Sequence, residues 1–160
     1  MDSWKEKLLR GARLNGMCKN NLSHLKECKS KEEAIELYKM TIDWALERGY
    51  PSISDLLADF SDMEKEGVFI ERNFDGELLD QHQVYVFHNC TGSIRVALNY
   101  DKAIIPMLYF ANGCDMTINC TQKNFHPIRV PLYIFGENII KAESDDNVKF
   151  IKYNESMLYD

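Results

Sequence analysis

Three tyrosines at one fixed spacing constrain this chain more than any other feature. Tyr85, Tyr109 and Tyr133 are each 24 residues apart, and their neighbours align without a gap. A fixed period of about 20 to 50 residues is typical of stacked supersecondary units. The repeated segments are rich in β-branched and aromatic residues, which favour strands. The period therefore predicts an α+β fold that contains a short three-coil β-solenoid of the right-handed β-helix type.

The first third of the chain has the apolar spacing of helices, and we expect about four of them there. Ser30 and Glu33 make a capping-box pair at the start of the longest one, which is predicted over about residues 31–48. Leu37, Met40 and Trp44 give this helix a second apolar face. A helix with two apolar faces is usually buried on both, so we expect the same here.

The change from helical to strand-like spacing divides the chain near residue 65. We expect a helical region over residues 1–65 and a β-solenoid-like region over residues 66–160. The helical region is predicted to pack on the solenoid or to cap it. No segment rich in Pro, Gly or Ser separates the two regions, so together they are predicted to form one compact domain.

The alternation of side chains along the first strand of each coil predicts aromatic residues on its outward face. Successive side chains in a strand point to opposite sides, and the pattern places Val84 and Val86 inward. An outward aromatic patch must be covered or used. Either the helical region packs on it, or it binds a partner protein or sugar rings. The residues of this candidate binding surface are Tyr85, Tyr109, Tyr133, Phe87 and Phe135.

Charge and composition exclude several classes of function. The net charge is −6, and residues 66–160 carry most of it, with 8 basic and 13 acidic side chains. Such a region repels a phosphate backbone, so no nucleic-acid partner is expected. No apolar run is long enough to span a membrane, and the first residues lack the apolar core of a signal peptide. We therefore expect a cytoplasmic protein with no membrane partner.

The residue types that bind metals do not complete a site. His88 and Cys90 are two apart, and Cys114 follows Cys90 by one 24-residue period, so these three would lie close together. A zinc site needs four ligands, and the fourth is missing. The two cysteines fit equally well as small residues of a tight turn, and Cys120 fits as a core thiol. We expect no metal and no cofactor.

Acid–base chemistry has one candidate cluster. It consists of Glu71, Asp75, Glu77 and Asp80, with His82 nearby. β-helical enzymes that cut polysaccharides need many coils to build a substrate groove, and three are too few. The cluster is more typical of a solvated loop, and no nucleotide-binding or hydrolase motif is present. The prediction is a protein with no catalytic residues.

Four segments of the chain carry a family resemblance, and they are Gly49-Tyr50-Pro51, Gly67–Ile70, Phe74–Leu79 and Ala103–Met116. They resemble a family of uncharacterised proteins encoded in prophages and mobile elements of gut Bacteroides-type bacteria. The resemblance covers most of the chain from about residue 15. It implies a phage or mobile-element protein in the cytoplasm of a bacterial host cell, and it implies no catalytic residue.

Together these observations predict a non-enzymatic phage or mobile-element protein that binds an unidentified protein partner in an accessory or host-interaction role. One alternative is a small virion structural module of the tail or fibre type. Another is a carbohydrate-related binding module or enzyme that uses the column of Tyr85, Tyr109 and Tyr133.

All five cysteines are expected to be reduced. The count is odd, and no pair has the spacing of a disulfide or a CxxC motif. Thiol titration of freshly purified protein in denaturant should therefore give five free thiols, and elemental analysis should give no stoichiometric zinc. Fewer than five thiols, or one zinc per chain, would contradict this prediction.

Overall fold

The computed structural model describes residues 3–98, 105–120, 127–144 and 147–154. The chain divides into two compact units, Met1–Glu66 and Gly67–Asp160. That boundary lies one residue from the one predicted, while the expectation of one compact domain stays a prediction. Within the described ranges, no helix is long and apolar enough to cross a membrane.

The first unit is helical. Its described residues form five α-helices, followed by one 3₁₀ turn at Met63–Glu66. The predicted number was about four. The α-helices are α1 (Ser3–Leu14), α2 (Lys19–Glu27), α3 (Lys31–Met40), α4 (Ile42–Arg48) and α5 (Ile53–Asp59).

The helix predicted over residues 31–48 is two helices, α3 and α4. Its start is confirmed, because Ser30 Oγ accepts a hydrogen bond from the Glu33 amide at 3.2 Å. The break comes at Thr41, whose φ of −110° and ψ of 25° leave the helical region. The Thr41 hydroxyl donates to the Leu37 carbonyl at 2.9 Å. A threonine that bonds back to its own helix bends or interrupts it, which explains the additional helix.

A buried lysine ties the end of this unit to α3. Lys39 is only 7% exposed. Its ammonium group donates to the Glu66 carbonyl at 2.8 Å and pairs with a Glu36 carboxylate oxygen at 2.9 Å. Buried charges are tolerated only where they are paired and hydrogen-bonded, as this one is. Lys39 therefore holds the last residue of the helical unit in place.

The second unit consists of strands. Its described residues form two all-parallel sheets, in which odd-numbered strands make a five-stranded sheet and even-numbered strands a four-stranded one. The strands are β1 (Val68–Ile70), β2 (Asn73–Leu79), β3 (Val84–His88), β4 (Thr91–Val96), β5 (Met107–Phe110), β6 (Asp115–Cys120), β7 (Ile128–Ile134), β8 (Ile139–Glu143) and β9 (Val148–Asn154).

This architecture corrects the predicted fold class. The three-coil β-solenoid and the α+β assignment are wrong, because five helices precede two separate parallel sheets in an α/β layout. The 24-residue period is kept where β5 pairs with β7, β4 with β6 and β6 with β8, but not in the other pairings. In the larger sheet Val68 pairs with Val86, and Val86 pairs with Tyr109, so both offsets are shorter than the period. Between β2 and β4 the register also shifts at Asp75/Glu77.

The pairing of β3 with β5 falls one residue short of the sequence period and reverses the faces of β3. Tyr85 pairs with Leu108 and not with Tyr109, so the predicted stack of three tyrosines is broken at its first member. A shift of one residue moves every side chain of a strand to the other face. Tyr85 and Phe87 accordingly belong to the same buried core cluster as Leu108. The predicted inward position of Val84 and Val86 is wrong.

Stacked aromatic rings form the centre of this unit. The ring of Phe87 lies between those of Phe69 and Phe110, with centroids 5.5 and 5.1 Å away and planes within 14° and 13°. On the opposite face of the same strands, Tyr109 stacks on Tyr133 at 4.5 Å, and Tyr133 on Tyr153 at 5.3 Å. Parallel pairing places equivalent positions one strand apart, which favours such columns.

Asparagine side chains join the turns that recur between the two sheets. Asn112 Oδ1 accepts from the Glu137 amide at 2.9 Å, and Asn138 Oδ1 accepts from the Cys114 amide at 2.9 Å. Gly113 adopts a φ of +72°, and a methyl group there would collide with Asn89 Oδ1. Side-chain amides therefore connect these turns to one another.

Tyr109→Ala should act as a core substitution. Tyr109 is 5% exposed and stacks on Tyr133, so its removal leaves a cavity. Large-to-small aromatic changes in a core cost about 3 to 5 kcal/mol. Urea unfolding followed by near-ultraviolet circular dichroism should show a loss of this size. Tyr153→Ala, at the half-buried end of the column, is the control and should cost less; an unchanged midpoint for Tyr109→Ala would contradict the burial.

Candidate protein-binding groove

The predicted aromatic binding surface is mostly buried. The exposed fractions of four of its members are too small for a ligand to reach their rings, and only Tyr133 is half-buried. The four are Tyr85 at 2%, Phe87 at 0%, Tyr109 at 5% and Phe135 at 2%. The structure therefore does not present these five residues together as an open surface.

The hydroxyl group of Tyr85 has its polar partners within the same unit. It accepts hydrogen bonds from the amides of Gln81 and His82 at 2.9 and 2.8 Å. Burial raises the pKa of this phenol. A buried tyrosine hydroxyl normally finds such partners, so Tyr85 is a structural residue here.

The three metal candidates are buried near one another without forming a site. Cys90 Sγ donates to the His88 carbonyl at 3.4 Å, and Cys114 Sγ donates to the Phe87 carbonyl at 3.5 Å. Burial raises the pKa of Cys114 to about 11, which keeps the thiol protonated. Among the residues that the structure describes, no group of three or more His, Cys, Asp or Glu side chains is placed to hold a metal ion.

Two members of the acid–base cluster have structural contacts. Glu77 accepts from the Asp75 amide at 2.5 Å and from Arg72 at 3.3 Å. A hydrogen bond from its own backbone amide, then the one from the Asp75 amide and the Arg72 charge, lower the pKa of Glu77. The His82 ring packs edge-on against Tyr85, with centroids 5.6 Å apart. Glu77 is thus positioned to hold a turn and to orient Arg72.

Arg72 in turn covers aromatic rings at the start of both sheets. Its guanidinium carbon lies 4.7 Å from the centroid of Phe74 and 5.5 Å from that of Phe69. A guanidinium over an aromatic face is attracted by the ring quadrupole. The charged side chains in this region therefore protect the core where the first strands begin.

A small apolar cavity lies inside the helical unit. Its volume is about 40 Å³, and its lining includes Leu25, Trp44 and Leu56. A cavity of this size holds a few small atoms, and an apolar lining offers water no partners. We interpret it as a gap in the helical core.

An open groove between α2 and α3 is the feature that points to binding. It has a volume of about 460 Å³. Along α3, Glu32, Glu36 and Met40 are each four residues apart and therefore lie on one face. We call this feature the acidic groove, and its lining residues are His24, Glu27, Cys28, Glu32, Glu33, Glu36, Leu37 and Met40.

The four glutamates of the acidic groove differ in how they are used. Glu33 accepts from the Lys29 amide at 2.6 Å and caps α3, and Glu36 pairs with Lys39. Glu27 and Glu32 are exposed and make no ion pair with any other residue that the structure describes. Their charges are therefore open to a partner. Burial, and then the charge of Glu33, raises the pKa of Cys28, so the thiol in the groove stays protonated.

An exposed methionine gives the acidic groove an apolar element. Met40 is 81% exposed, which corrects the expectation that both apolar faces of the 31–48 segment are buried. The spacing of Glu32, Glu36 and Met40 was available in the sequence as a signal for this surface. The apolar spacing of that segment, taken alone, does not reveal the groove.

His88 should make the stability of the β unit depend on pH. Burial lowers its pKa to about 4. The unfolded chain, with a pKa of about 6.5, binds the proton first as the pH falls, so stability is lost between about pH 6.5 and pH 4. The full loss is about 3 kcal/mol. Urea unfolding across this range should show a shallower dependence for His88→Gln than for the wild type.

His24→Gln is the matched control, because it removes an exposed histidine from the helical unit. It should keep the pH dependence of the wild-type protein. Equal slopes for His88→Gln and the wild type would contradict the assignment to His88.

Comparison with known proteins found no relative of this chain. No protein-family model, no curated protein and no solved structure matches the chain.

Proposed function

We propose that this chain is a non-enzymatic binding protein whose acidic groove takes a basic, partly apolar segment of another protein. The carrying observation is the open groove of about 460 Å³, which combines four glutamates with an exposed methionine. Grooves that join one sign of charge to an apolar contact suit amphipathic helices of the opposite charge.

The unpaired charges support a basic partner. Glu27 and Glu32 are exposed, so lysine or arginine side chains reach them without displacing a contact that the fold needs. A surface of one sign also steers an oppositely charged partner towards it and speeds association. The acidic groove therefore favours a basic segment over a neutral one.

The exposed methionine supports an apolar element in the partner. Met40 is 81% exposed at the end of α3. Its unbranched, polarizable side chain adapts to different apolar surfaces, and methionines are common at binding surfaces for this reason. An apolar residue of the partner, about one helical turn from its basic residues, would cover Met40.

The side chains of the types that most often act in catalysis have structural contacts here, and this supports a role without catalysis. Glu77 orients Arg72, and the thiols of Cys90 and Cys114 donate to backbone carbonyls. The sequence resemblance supports a phage or mobile-element setting, and we propose the cytoplasm of a bacterial host cell as the location.

The proposal is tested with a fluorescent amphipathic peptide of lysine and leucine, titrated into the whole protein. We expect saturable binding that weakens with salt, and no binding of a matched peptide of glutamate and leucine. Removing two exposed charges with Glu27→Gln/Glu32→Gln should weaken binding between about twofold and thirtyfold, since each exposed ion pair contributes about 0.2 to 1 kcal/mol. Met40→Ala should weaken it as well.

Glu47→Gln and Leu57→Ala are the matched controls. Both residues belong to the helical unit and neither lines the groove, and Leu57 is 54% exposed. These variants should bind as the wild type does. Equal affinity for the two peptides, or equal weakening by the groove and control variants, would refute the proposed function.

A further inference from the structure

The opposite flank of α2 carries charge of the other sign. A second open groove, of about 430 Å³, lies between α1 and α2. It is lined by Arg10, Arg13 and Lys26, together with Glu6 and the buried Leu9. One helix therefore separates an acidic groove from a basic one.

The basic charges on this flank are as open as the acidic ones. Arg10 and Arg13 are exposed, and within the described part of the chain neither forms an ion pair. Leu14 follows Arg10 by four residues, so the two share a face of α1. Leu14 is 82% exposed, close to the 81% of Met40 in the acidic groove. We call the face made by Arg10, Arg13 and Leu14 the basic face.

We propose that the occupant of the acidic groove is a second copy of this chain, which docks the basic face of its α1 there. The inference rests on the proposed function and names its partner. Arg10 and Arg13 lie opposite Glu27 and Glu32, and Leu14 covers Met40. Each surface thus supplies the opposite charge and an apolar side chain that covers the exposed apolar side chain of the other.

Docking of this kind is head-to-tail. The acidic groove and the basic face are different surfaces of the same unit, so each docked copy leaves one of each open for the next copy. Such heterologous contacts build rings or open chains, unlike the closed pairs of a two-fold interface. The assembly depends on concentration, and salt weakens it because its charge pairs lie at the surface.

The test is sedimentation of the full chain at concentrations up to about 1 mM, a range that detects even a millimolar Kd. The wild type should show mass that grows with concentration at low salt and returns to the monomer at high salt. Glu27→Gln/Glu32→Gln removes charge from the groove, and Arg10→Gln/Arg13→Gln removes it from the basic face. Each double variant alone should associate between about twofold and thirtyfold more weakly than the wild type, since each exposed ion pair contributes about 0.2 to 1 kcal/mol.

Mixing the two double variants provides the decisive measurement. One variant retains an intact basic face and the other an intact groove, so together they form one native contact. The mixture should give a one-to-one dimer and no larger species. Lys19→Gln and Glu47→Gln, which change exposed charges outside both surfaces, should associate as the wild type does.

Three results would overturn the inference: a wild-type monomer at every concentration, association that both double variants leave intact, or a mixture without the dimer. A monomeric wild type that still binds the lysine–leucine peptide leaves the proposed function standing and refutes the second copy as its partner. Loss of both the peptide binding and the self-association refutes the two proposals together.

Discussion

Parallel pairing of β3 with β5 decides which side chains of the β unit are buried. The register aligns Val86 with Tyr109 and Phe87 with Phe110. Phe87 thereby continues the inner aromatic column, in which successive rings lie 5.1 to 5.5 Å apart. A register longer by a single residue would have turned Tyr85 and Phe87 away from Leu108 and removed the centre of that column. The contact of the Cys114 thiol with the Phe87 carbonyl also joins the chain after β5 to β3.

The helical unit is organised by charge as much as by packing. Four glutamates line the groove on one flank of α2, and three basic residues line the groove on the other flank. Lys39 is buried and paired with Glu36. Glutamates that cap or pair, such as Glu33 and Glu36, share one groove with exposed Glu27 and Glu32. Part of the groove is thus held rigid by the fold, while the rest is open to a partner. This division suits a surface that binds.

In the β unit, thiols, a histidine and carboxylates, which are common catalytic groups, have structural roles. Thiols donate to carbonyl groups, a histidine is buried with a lowered pKa, and carboxylates hold turns or orient an arginine. Burial keeps Cys114 protonated near neutral pH, so the reactive thiolate is not formed. Burial also keeps His88 neutral at that pH, so its ring carries no charge. The acidic groove, with the exposed Glu27 and Glu32, lies in the helical unit, and for this reason we place the proposed function there.

The sequence by itself determined the local features of this protein. Helical spacing and the capping pair of Ser30 and Glu33 predicted the start of α3. These features depend on residues close together in the chain. The register of β3, the break at Thr41 and the exposure of Met40 required the tertiary structure. The period of the sequence and the offset between β3 and β5 differ by a single residue. Only packing between distant strands selects that offset, because the one residue decides which aromatic rings enter the core.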